Sequence, residues 1–428
     1  MNEAFLHFLW QFQYFDKSCL QTTDNETIQV LRIGQPNTDA GADFQDARLL
    51  IDEVEWAGTV EIHVKSSDWN IHAHDADVAY QNVILHVVWQ DDQPIVRSDQ
   101  TKITTLILSD KTDYSLAQKY QALLESKQPM ACYSQFQKVS ALKKYAMLDK
   151  VLMQRLENKA LFVHQYLAEN KQDWEETAYQ TLAKNFGFKL NAEPFFRLAK
   201  ALPLKILAKH RDNLFQLEAL LFGVAGFLSA NSFEDEYQTK LAKEFQFLST
   251  KYQLQDNILG THEWKYLRLR PANFPTVRLA QFAKLIQENI NLFSVILHLD
   301  NIENVSKTFK IVQSGYWQEH YVFGKKATGK VAIIGETSVE NIVINTVVPL
   351  LVAYSKQKDD ERYLEKAIRF LEELPAENNK ITKHWQTLDL PMKTAFDSQA
   401  GIEWFNQFCT IKKCLSCEVG ISLLREKL

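Results

Sequence analysis

Two spacings of apolar residues divide this chain. In roughly the first 110 residues, apolar residues alternate with polar ones or form short runs that end at turn-forming residues. Such runs are typical of β-strands, and they occur at residues 28–33, 47–51, 58–65, 83–89, 95–97 and 104–108. Residues 3–14 precede them with the apolar spacing of a short helix. The pattern therefore predicts a sheet-containing N-terminal domain.

The spacing changes after residue 110. From about residue 113 to 408, most apolar residues recur every three or four positions, which predicts helices. The sequence therefore predicts an α+β protein with three parts. These are a mixed α/β domain over residues 1–110, a large mostly helical region over 111–408, and a C-terminal segment over 409–428 that contains three cysteines.

The composition, 46% hydrophobic and 24% charged, is typical of a globular protein with a sizeable core. A net charge of −5 creates no overall field that attracts nucleic acid, so such a partner would need a local basic patch. No basic segment precedes the apolar run at the N-terminus, and Gln216 and Glu218 interrupt the longest apolar run, residues 214–230. We therefore expect neither a signal peptide nor a membrane partner. Five cysteines without a secretory signal predict a reducing, cytoplasmic location.

Ionisable residues gather in and after the predicted strand 58–65. Glu61, His63 and Lys65 lie on one face of that strand, because side chains alternate with a period of two. His72 and His74 follow in a polar loop, where they could bind a metal or carry protons. Four of the eleven histidines fall between residues 63 and 86. This concentration favours a metal site or a proton-transfer site.

A second carboxylate lies within reach of this strand. Asp43 stands at the mouth of the preceding strand, and a hairpin through residues 52–58 would bring it near Glu61. Two carboxylates beside a base can hold Mg²⁺ or Mn²⁺ and orient a water for attack on a phosphodiester. The simpler alternative is that the polar face is a solvated face of the sheet. His86 differs, because it interrupts the apolar strand 83–89 and is expected to be a hydrogen-bonded core residue.

The same stretch resembles the PD-(D/E)XK nuclease pattern, an Asp on one strand and Glu-x-Lys on the next. "GADF" at residues 41–44 is similar to the first half, with Ala42 in place of proline, and "VEIH" at 60–63 is similar to the second. The resemblance implies a restriction-endonuclease-like domain, Asp43 and Glu61 as metal ligands, and DNA or RNA as a partner. This sequence departs from the pattern at His63, which replaces the lysine, whereas Lys65 lies two residues later.

The chain as a whole is identified as a member of an uncharacterised bacterial family, domain of unknown function family 2851. The resemblance extends nearly from end to end. It is carried by "LWQFQYF" (9–15), "WAGTVEIHVKSSDW" (56–69), "NVILHVVW" (82–89), "WEETAYQTLAKNFG" (174–187), "LRPANFPTVRLAQ" (269–281), "INTVVPLL" (344–351) and "TAFDSQA" (394–400). Membership in this family implies no particular activity.

Three of the five cysteines lie within nine residues near the C-terminus. The spacing Cys409-x4-Cys414-x2-Cys417 lets thiolates approach one metal and coincides with the first three ligands of plant-type [2Fe–2S] proteins. The sequence predicts a zinc ion or an iron–sulfur cluster there, with Cys132 as the candidate fourth ligand and Cys19 in reserve. The trio also loosely resembles that of iron–sulfur-containing nucleases, in which a distant upstream cysteine completes the set. The alternative is that these thiols are reduced and pack as small hydrophobic residues.

An arginine segment is a weaker candidate for contact with nucleic acid. Arg268, Arg270 and Arg278 lie near Trp264 and Tyr266, so they could bind phosphates while the aromatic rings stack on bases. The favoured alternative is that these arginines hydrogen-bond the irregular loop around two prolines and pair with acidic residues.

Three functions remain open from the sequence. The first is a metal-dependent nuclease or phosphodiesterase, or a descendant that binds nucleic acid without cutting it. Its catalytic residues would be Asp43, Glu61, His63, Lys65, His72 and His74. The second is a non-enzymatic helical interaction protein that a cysteine-bound metal stabilises. The third is a hydrolase whose metal is held mainly by histidines, which a histidine-dominated site would favour.

Overall fold

The computed structural model describes residues 1–229 and 232–425, which form two compact units. Unit one consists of Met1–Met147 together with the chain from Trp404 onward, and unit two consists of Leu148–Glu403. The units therefore divide the chain at different places from the predicted boundaries at residues 110 and 408. The physical reason is that Leu116, Tyr120 and Leu123, which follow the sheet, are buried in the hydrophobic core of the sheet.

Unit one is built on a mixed sheet of six strands. They are β1 (Ile28–Arg32), β2 (Gln35–Pro36), β3 (Phe44–Ile51), β4 (Val54–Lys65), β5 (Val83–Gln90) and β6 (Thr105–Ile107). The strand order is β1-β3-β4-β5-β6, and β2 pairs with β3. The β4/β5 and β5/β6 pairs are parallel, whereas β3 pairs antiparallel with its neighbours. Of the predicted strand at 95–97, only an isolated bridge at Val96 forms.

The β3–β4 hairpin sets the register that brings the two predicted carboxylates together. Asp52 and Glu53 form its tight turn with φ values of 42° and 69°, as a two-residue hairpin with both central residues at positive φ requires. From there the pairing runs back to Ala47 opposite Gly58, and a register shift between Ala47 and Phe44 then places Phe44 opposite Val60. Asp43 therefore enters β3 beside Glu61.

The described chain contains many helices besides short 3₁₀ turns. They are α1 (Glu3–Phe12), α2 (Asp68–Ile71), α3 (Tyr114–Glu125), α4 (Ala141–Glu169), α5 (Trp174–Phe186), α6 (Phe188–Ala201), α7 (Leu204–Ala208), α8 (Leu214–Val224), α9 (Glu236–Tyr252), α10 (Pro275–Glu288), α11 (Leu292–His298), α12 (Ile302–Phe309), α13 (Glu336–Ile342), α14 (Val348–Lys358), α15 (Glu361–Glu373), α16 (Lys380–Thr387), α17 (Ala395–Trp404) and α18 (Glu418–Arg425). Helices α5 to α16 belong to unit two. The predicted α+β organisation, an N-terminal mixed sheet followed by a mostly helical region, is confirmed.

Helix α1 packs on the sheet of unit one and carries polar residues to β4. Phe5, Leu9 and Trp10 are buried in the core of the sheet, and the Trp10 indole donates to the carbonyl of Ile33 (3.0 Å). Asn2 caps the helix by accepting the backbone N–H of Phe5 at 3.1 Å. These contacts fix the rotation of α1 and therefore the direction of its polar face.

In the described part of unit two, the regular structure is helical apart from an isolated bridge between Pro375 and Thr394 and a short hairpin. The hairpin consists of β7 (His320–Val322) and β8 (Lys325–Lys326), and the sequence pattern did not predict it. The apolar run that begins at residue 214 starts with the buried helix α8. The continuous helical segment Glu336–Lys358 is long and apolar enough to cross a membrane. However, 67% of its apolar window is buried inside the structure, and a core helix passes the same test of length and composition.

Candidate metal centre

The two carboxylates predicted as metal ligands meet in unit one. The backbone N–H of Asp43 donates to Oε2 of Glu61 at 3.1 Å, and the backbone N–H of Ile62 donates to Oδ2 of Asp43 at 2.9 Å. Glu61 and His63 are only 4% and 1% exposed, so the alternative of a solvated sheet face is wrong for these residues. The β4 strand therefore presents a buried polar face at this point.

Two histidines lie against the Glu61 carboxylate, and His72 lies beside His63. Oε1 of Glu61 lies 3.2 Å from Nε2 of His74 and 3.5 Å from Nε2 of His63. Ring nitrogens of His63, His72 and His74 all lie within 4.8 Å of one another, a spacing that one metal ion can bridge. The structure therefore brings together five of the six predicted catalytic residues, counting Asp43.

A line of imidazole contacts leads from the core to the surface. Nδ1 of His63 lies 2.9 Å from Nε2 of His86, and Nε2 of His63 lies 3.1 Å from Nδ1 of His72. His86 is fully buried and hydrogen-bonded, as the sequence predicted, whereas His72 is exposed. His86 therefore orients His63, and His72 connects His63 to solvent.

Helix α1 adds two residues that the sequence analysis missed. Nε2 of His7 lies 3.3 Å from Oδ2 of Asp43 and 3.6 Å from Oε1 of Glu3. Glu3, His7 and Asp43 form a second group whose ligand atoms lie within 4.8 Å of one another. The sequence contained one sign of this group, because Glu3 and His7 are one helical turn apart.

Burial and crowding displace the pKa values of this cluster. Burial, with the charge of Asp43, raises the pKa of Glu61 to about 8. Burial and the neighbouring His74 and His72 lower the pKa of His63 to about 4. Burial alone would lower the pKa of His7, but the carboxylates of Asp43 and Glu3 outweigh it and raise that pKa to about 9. Such displaced pKa values are concentrated at functional sites.

Three ring nitrogens of the cluster are buried without a hydrogen-bond partner in the described chain: Nε2 of His7, Nε2 of His74 and Nδ1 of His86. The first two each lie within 3.3 Å of a carboxylate oxygen, from Asp43 and Glu61 respectively. A buried polar atom without a partner is costly. Nitrogen and carboxylate oxygen atoms placed side by side in this way fit the donor set of a divalent cation, so the residues present fit a metal.

Aromatic residues of the β4–β5 crossover hold the histidines in place. The ring of Tyr80 stacks on that of His74 with centroids 3.8 Å apart. The buried Trp69 packs edge-on against His74 and His86, with centroids 5.3 and 5.4 Å away. Lys65 is exposed at the end of β4, where its backbone N–H donates a hydrogen bond to Oδ2 of Asp68. Lys65 is therefore the predicted site residue that the structure leaves at the rim.

The predicted cysteine set also lies together in unit one. Cys132, Cys409, Cys414 and Cys417 line one cavity, while Cys19 is exposed and does not line it. Burial, followed by the charges of Cys417 and Cys414, raises the pKa of Cys132 to about 12. Burial and the charge of Cys417 raise the pKa of Cys414 to about 11. The structure therefore brings four of the five cysteines to one cavity.

The three arginines proposed to contact nucleic acid do not share one surface. Arg268 and Arg270 are exposed, whereas Arg278 is 3% exposed and belongs to the core of unit two. The guanidinium of Arg278 donates to Asn273 Oδ1 at 2.7 Å, at the end of the loop that contains the first proline. The favoured alternative, that an arginine hydrogen-bonds this loop, therefore describes the contacts of Arg278.

Comparison with known proteins gives a family for this chain. The chain belongs to the family described as protein of unknown function (DUF2851), which matches residues 3–380. That match covers the carboxylate–histidine cluster and ends before the three C-terminal cysteines. The comparisons with curated proteins and with solved structures found no match.

Proposed function

We propose that this member of the DUF2851 family is a metal-dependent phosphodiesterase, with DNA or RNA as its substrate class. The observation that carries the proposal is the hydrogen bond from the Asp43 backbone to the Glu61 carboxylate. It lies beside the buried Nε2 atoms of His7 and His74, which have no hydrogen-bond partner among the described residues. Two carboxylates on neighbouring strands of a mixed sheet also support the resemblance to the PD-(D/E)XK pattern. A parallel crossover after β4 is compatible with that pattern.

The donor set favours Mn²⁺ over Mg²⁺. Carboxylates suit both ions, whereas imidazole nitrogen is a ligand of transition metals. Asp43 and Glu61 would hold the ion, and His74 would supply a nitrogen ligand. His7, whose pKa is raised to about 9, would become a ligand only by losing its proton as the ion binds. A bound divalent ion would polarise a phosphate oxygen and increase the acidity of a water molecule.

The histidine line supplies the proton path. His63 stays neutral at physiological pH because burial lowers its pKa to about 4, so its ring can accept a hydrogen bond. The 3.1 Å contact between His63 Nε2 and His72 Nδ1 joins the buried cluster to an exposed ring. His72 would therefore exchange protons between solvent and the site. Lys65, exposed at the rim, would attract the phosphate backbone.

A second candidate is a hydrolase whose metal is held mainly by histidines. The observation that favours it is the group of ring nitrogens from His63, His72 and His74 within 4.8 Å of one another. Three imidazole ligands with one open position are typical of catalytic zinc. In that arrangement His72 is a metal ligand, whereas in the phosphodiesterase it carries protons.

The test measures metal binding and cleavage on the full-length protein. Single-stranded and double-stranded DNA and RNA are incubated with Mn²⁺, Mg²⁺ or Zn²⁺ at equal ionic strength, and metal binding is followed by calorimetry. We expect cleavage with Mn²⁺, and we expect Glu61→Gln and Asp43→Asn to lose at least about 100-fold in both metal affinity and cleavage, about 2.7 kcal/mol. The amide keeps the shape of the side chain but removes the charge that holds a hard cation.

Glu55→Gln is the matched control, since Glu55 lies on the same strand with an exposed side chain that pairs only weakly with Arg48 at 3.4 Å. It should bind metal and cleave like the wild type. Mn²⁺ binding and nucleic-acid binding without cleavage would identify a non-cutting descendant. A folded protein that binds none of the three ions at this cluster would refute the metal site and leave the helical interaction protein.

A further inference from the structure

Four of the five cysteines surround one small cavity in unit one. Cys132 comes from the turn after α3, and Cys409, Cys414 and Cys417 come from the segment before α18. The cavity has a volume of about 20 Å³, which is room for roughly one water molecule. The rest of its wall is mainly apolar, with Ala131, Trp404 and Phe408.

Backbone hydrogen bonds and close packing hold the segment that carries the cysteine trio. Cys414 and Cys417 bracket a single 3₁₀ turn in which the N–H of Cys417 donates to the carbonyl of Cys414 at 3.3 Å. A Cβ at Gly420 would lie 2.2 Å from that same carbonyl, so only glycine lets α18 pass this close. Lys412 ties the segment to the end of α3 by donating to the carbonyls of Leu124 and Ser126.

We propose that Cys132, Cys409, Cys414 and Cys417 ligate a thiophilic metal centre, either one tetrahedral zinc ion or an iron–sulfur cluster. A cavity of about 20 Å³ suits the single zinc ion, whereas a cluster would require the four thiols to move apart. Both centres take four thiolate ligands, and a turn with the spacing C-x-x-C presents two of them from one side. Thiols that merely packed as hydrophobic residues would not need to converge on a cavity from two segments so distant in the chain. The centre would crosslink the C-terminal segment to the turn after α3 and stabilise unit one.

The first test is elemental analysis of full-length protein purified without oxygen, together with its visible spectrum. One equivalent of zinc and a colourless protein would identify zinc. Iron with acid-labile sulfide and a visible absorption band would identify a cluster. Protein that holds neither, both as purified and after reconstitution with zinc or with iron and sulfide, would overturn the proposal.

The second test uses single serine substitutions. We expect Cys132→Ser and Cys417→Ser to lose most of the bound metal and to lower the melting temperature of the metal-loaded protein. Cys19→Ser is the matched control, since Cys19 is exposed outside the cavity, and it should retain both. If a variant fails to fold, alkylation of the wild type gives the answer instead. After the metal is removed, the four cavity cysteines should react with the alkylating reagent, whereas Cys19 should react both before and after removal. If the set of alkylated cysteines is the same before and after removal, the site is refuted.

An independent observation concerns a cavity of about 390 Å³ in unit two. Its wall includes Arg278, Asn273, Lys189 and Ser338, and Ser338 lies in the first turn of α13. Arg278 is 3% exposed, and its Nε atom has no hydrogen-bond partner in the described chain. The other guanidinium nitrogens donate only to neutral groups, on Asn273, Ser338 and Gln281.

The ring of Phe188, also in the wall, lies against this guanidinium with its centroid 4.6 Å from Cζ, so it gives a cation–π contact but no negative charge. A buried guanidinium without a carboxylate partner remains costly unless a ligand supplies that charge. We infer that this cavity binds a small organic anion, a carboxylate or a phosphate ester, through Arg278. The volume lies in the range of ordinary ligand pockets. The guanidinium is suited to either anion because its N–H groups match planar, bidentate acceptors.

Melting of the full-length protein in inorganic phosphate or acetate tests this site, with chloride at equal ionic strength as the reference. We expect a saturable rise in melting temperature that is larger for the preferred class of anion. Arg278→Lys should weaken the response at least about tenfold. Arg270→Lys, an exposed arginine of the same segment, should not change it. If Arg278→Lys does not fold, Ser338→Ala serves in its place, and an anion response equal in wild type and variant overturns the inference.

Discussion

Glu218 of α8 gives a stability prediction whose size follows from its surroundings. Its side chain is fully buried, Oε2 accepts a hydrogen bond from the Tyr237 hydroxyl, and Oε1 has no hydrogen-bond partner in the described chain. Burial raises the pKa of Glu218 to about 7, although Tyr237, Ser314 and Trp317 partly offset it. The proposed substitution is Glu218→Gln, which keeps the shape of the side chain and removes its ionisable carboxyl group.

The direction in which stability changes with pH follows from the carboxyl pKa of Glu218, which is raised in the folded state. Below pH 4.5 the group is protonated in both states, and its contribution to stability is fully present. As the pH rises toward 7, the unfolded chain loses its proton first, so the wild type becomes progressively less stable. A change in pKa from 4.5 to about 7 corresponds to about 3 kcal/mol, since one pKa unit is worth about 1.4 kcal/mol.

The assay compares the free energy of unfolding of wild type and Glu218→Gln at pH values from 4.5 to 8. Because two compact units can unfold separately, hydrogen exchange of peptides from α8 reports on unit two alone. We expect the wild type to lose about 3 kcal/mol relative to the variant between pH 4.5 and 7, and nothing further above pH 7.5. A difference that stays constant over this range would refute the assignment of a raised pKa to Glu218.

Three further predictions concern unit one. His72→Ala should keep its Mn²⁺ affinity within about threefold of the wild-type value but slow cleavage by about 10²-fold or more, because it removes the proton path. If calorimetry instead shows that metal binding is lost, His72 is a ligand. Gly58→Ala should destabilise unit one by about 1–3 kcal/mol in denaturant titration, because the new Cβ would lie 2.5 Å from the Asn82 carbonyl and from Ile84, and unchanged stability would contradict that crowding. Trp69→Ala should lower the free energy of unfolding by about 3–5 kcal/mol. It should also broaden the NMR resonances of His74 and His86, because it removes the ring that packs on both histidines, and sharp, unshifted resonances would contradict this.

The sequence by itself determined the local structure of the site. Alternation along residues 58–65 placed Glu61 and His63 on one face, and residues 52–53 form the turn of the hairpin that leads back toward Glu61. The spacing of the C-terminal cysteines likewise follows from the chain, since Cys414 and Cys417 bracket one turn. These features depend on neighbours a few residues apart, so periodicity and spacing were sufficient to predict them.

Only the tertiary structure decided which distant segments join these local features. Glu3 and His7 reach Asp43 because the buried face of α1 fixes the rotation of that helix on the sheet. Arg278, unlike the exposed Arg268 and Arg270, is buried in the core of unit two. The boundary of unit one moved past residue 110 because α3 and α18 complete the apolar core of the sheet. Periodicity reports which face of an element is apolar, but not which other element covers that face. Packing between elements remote in sequence makes that choice, and here it decides which side chains share a site.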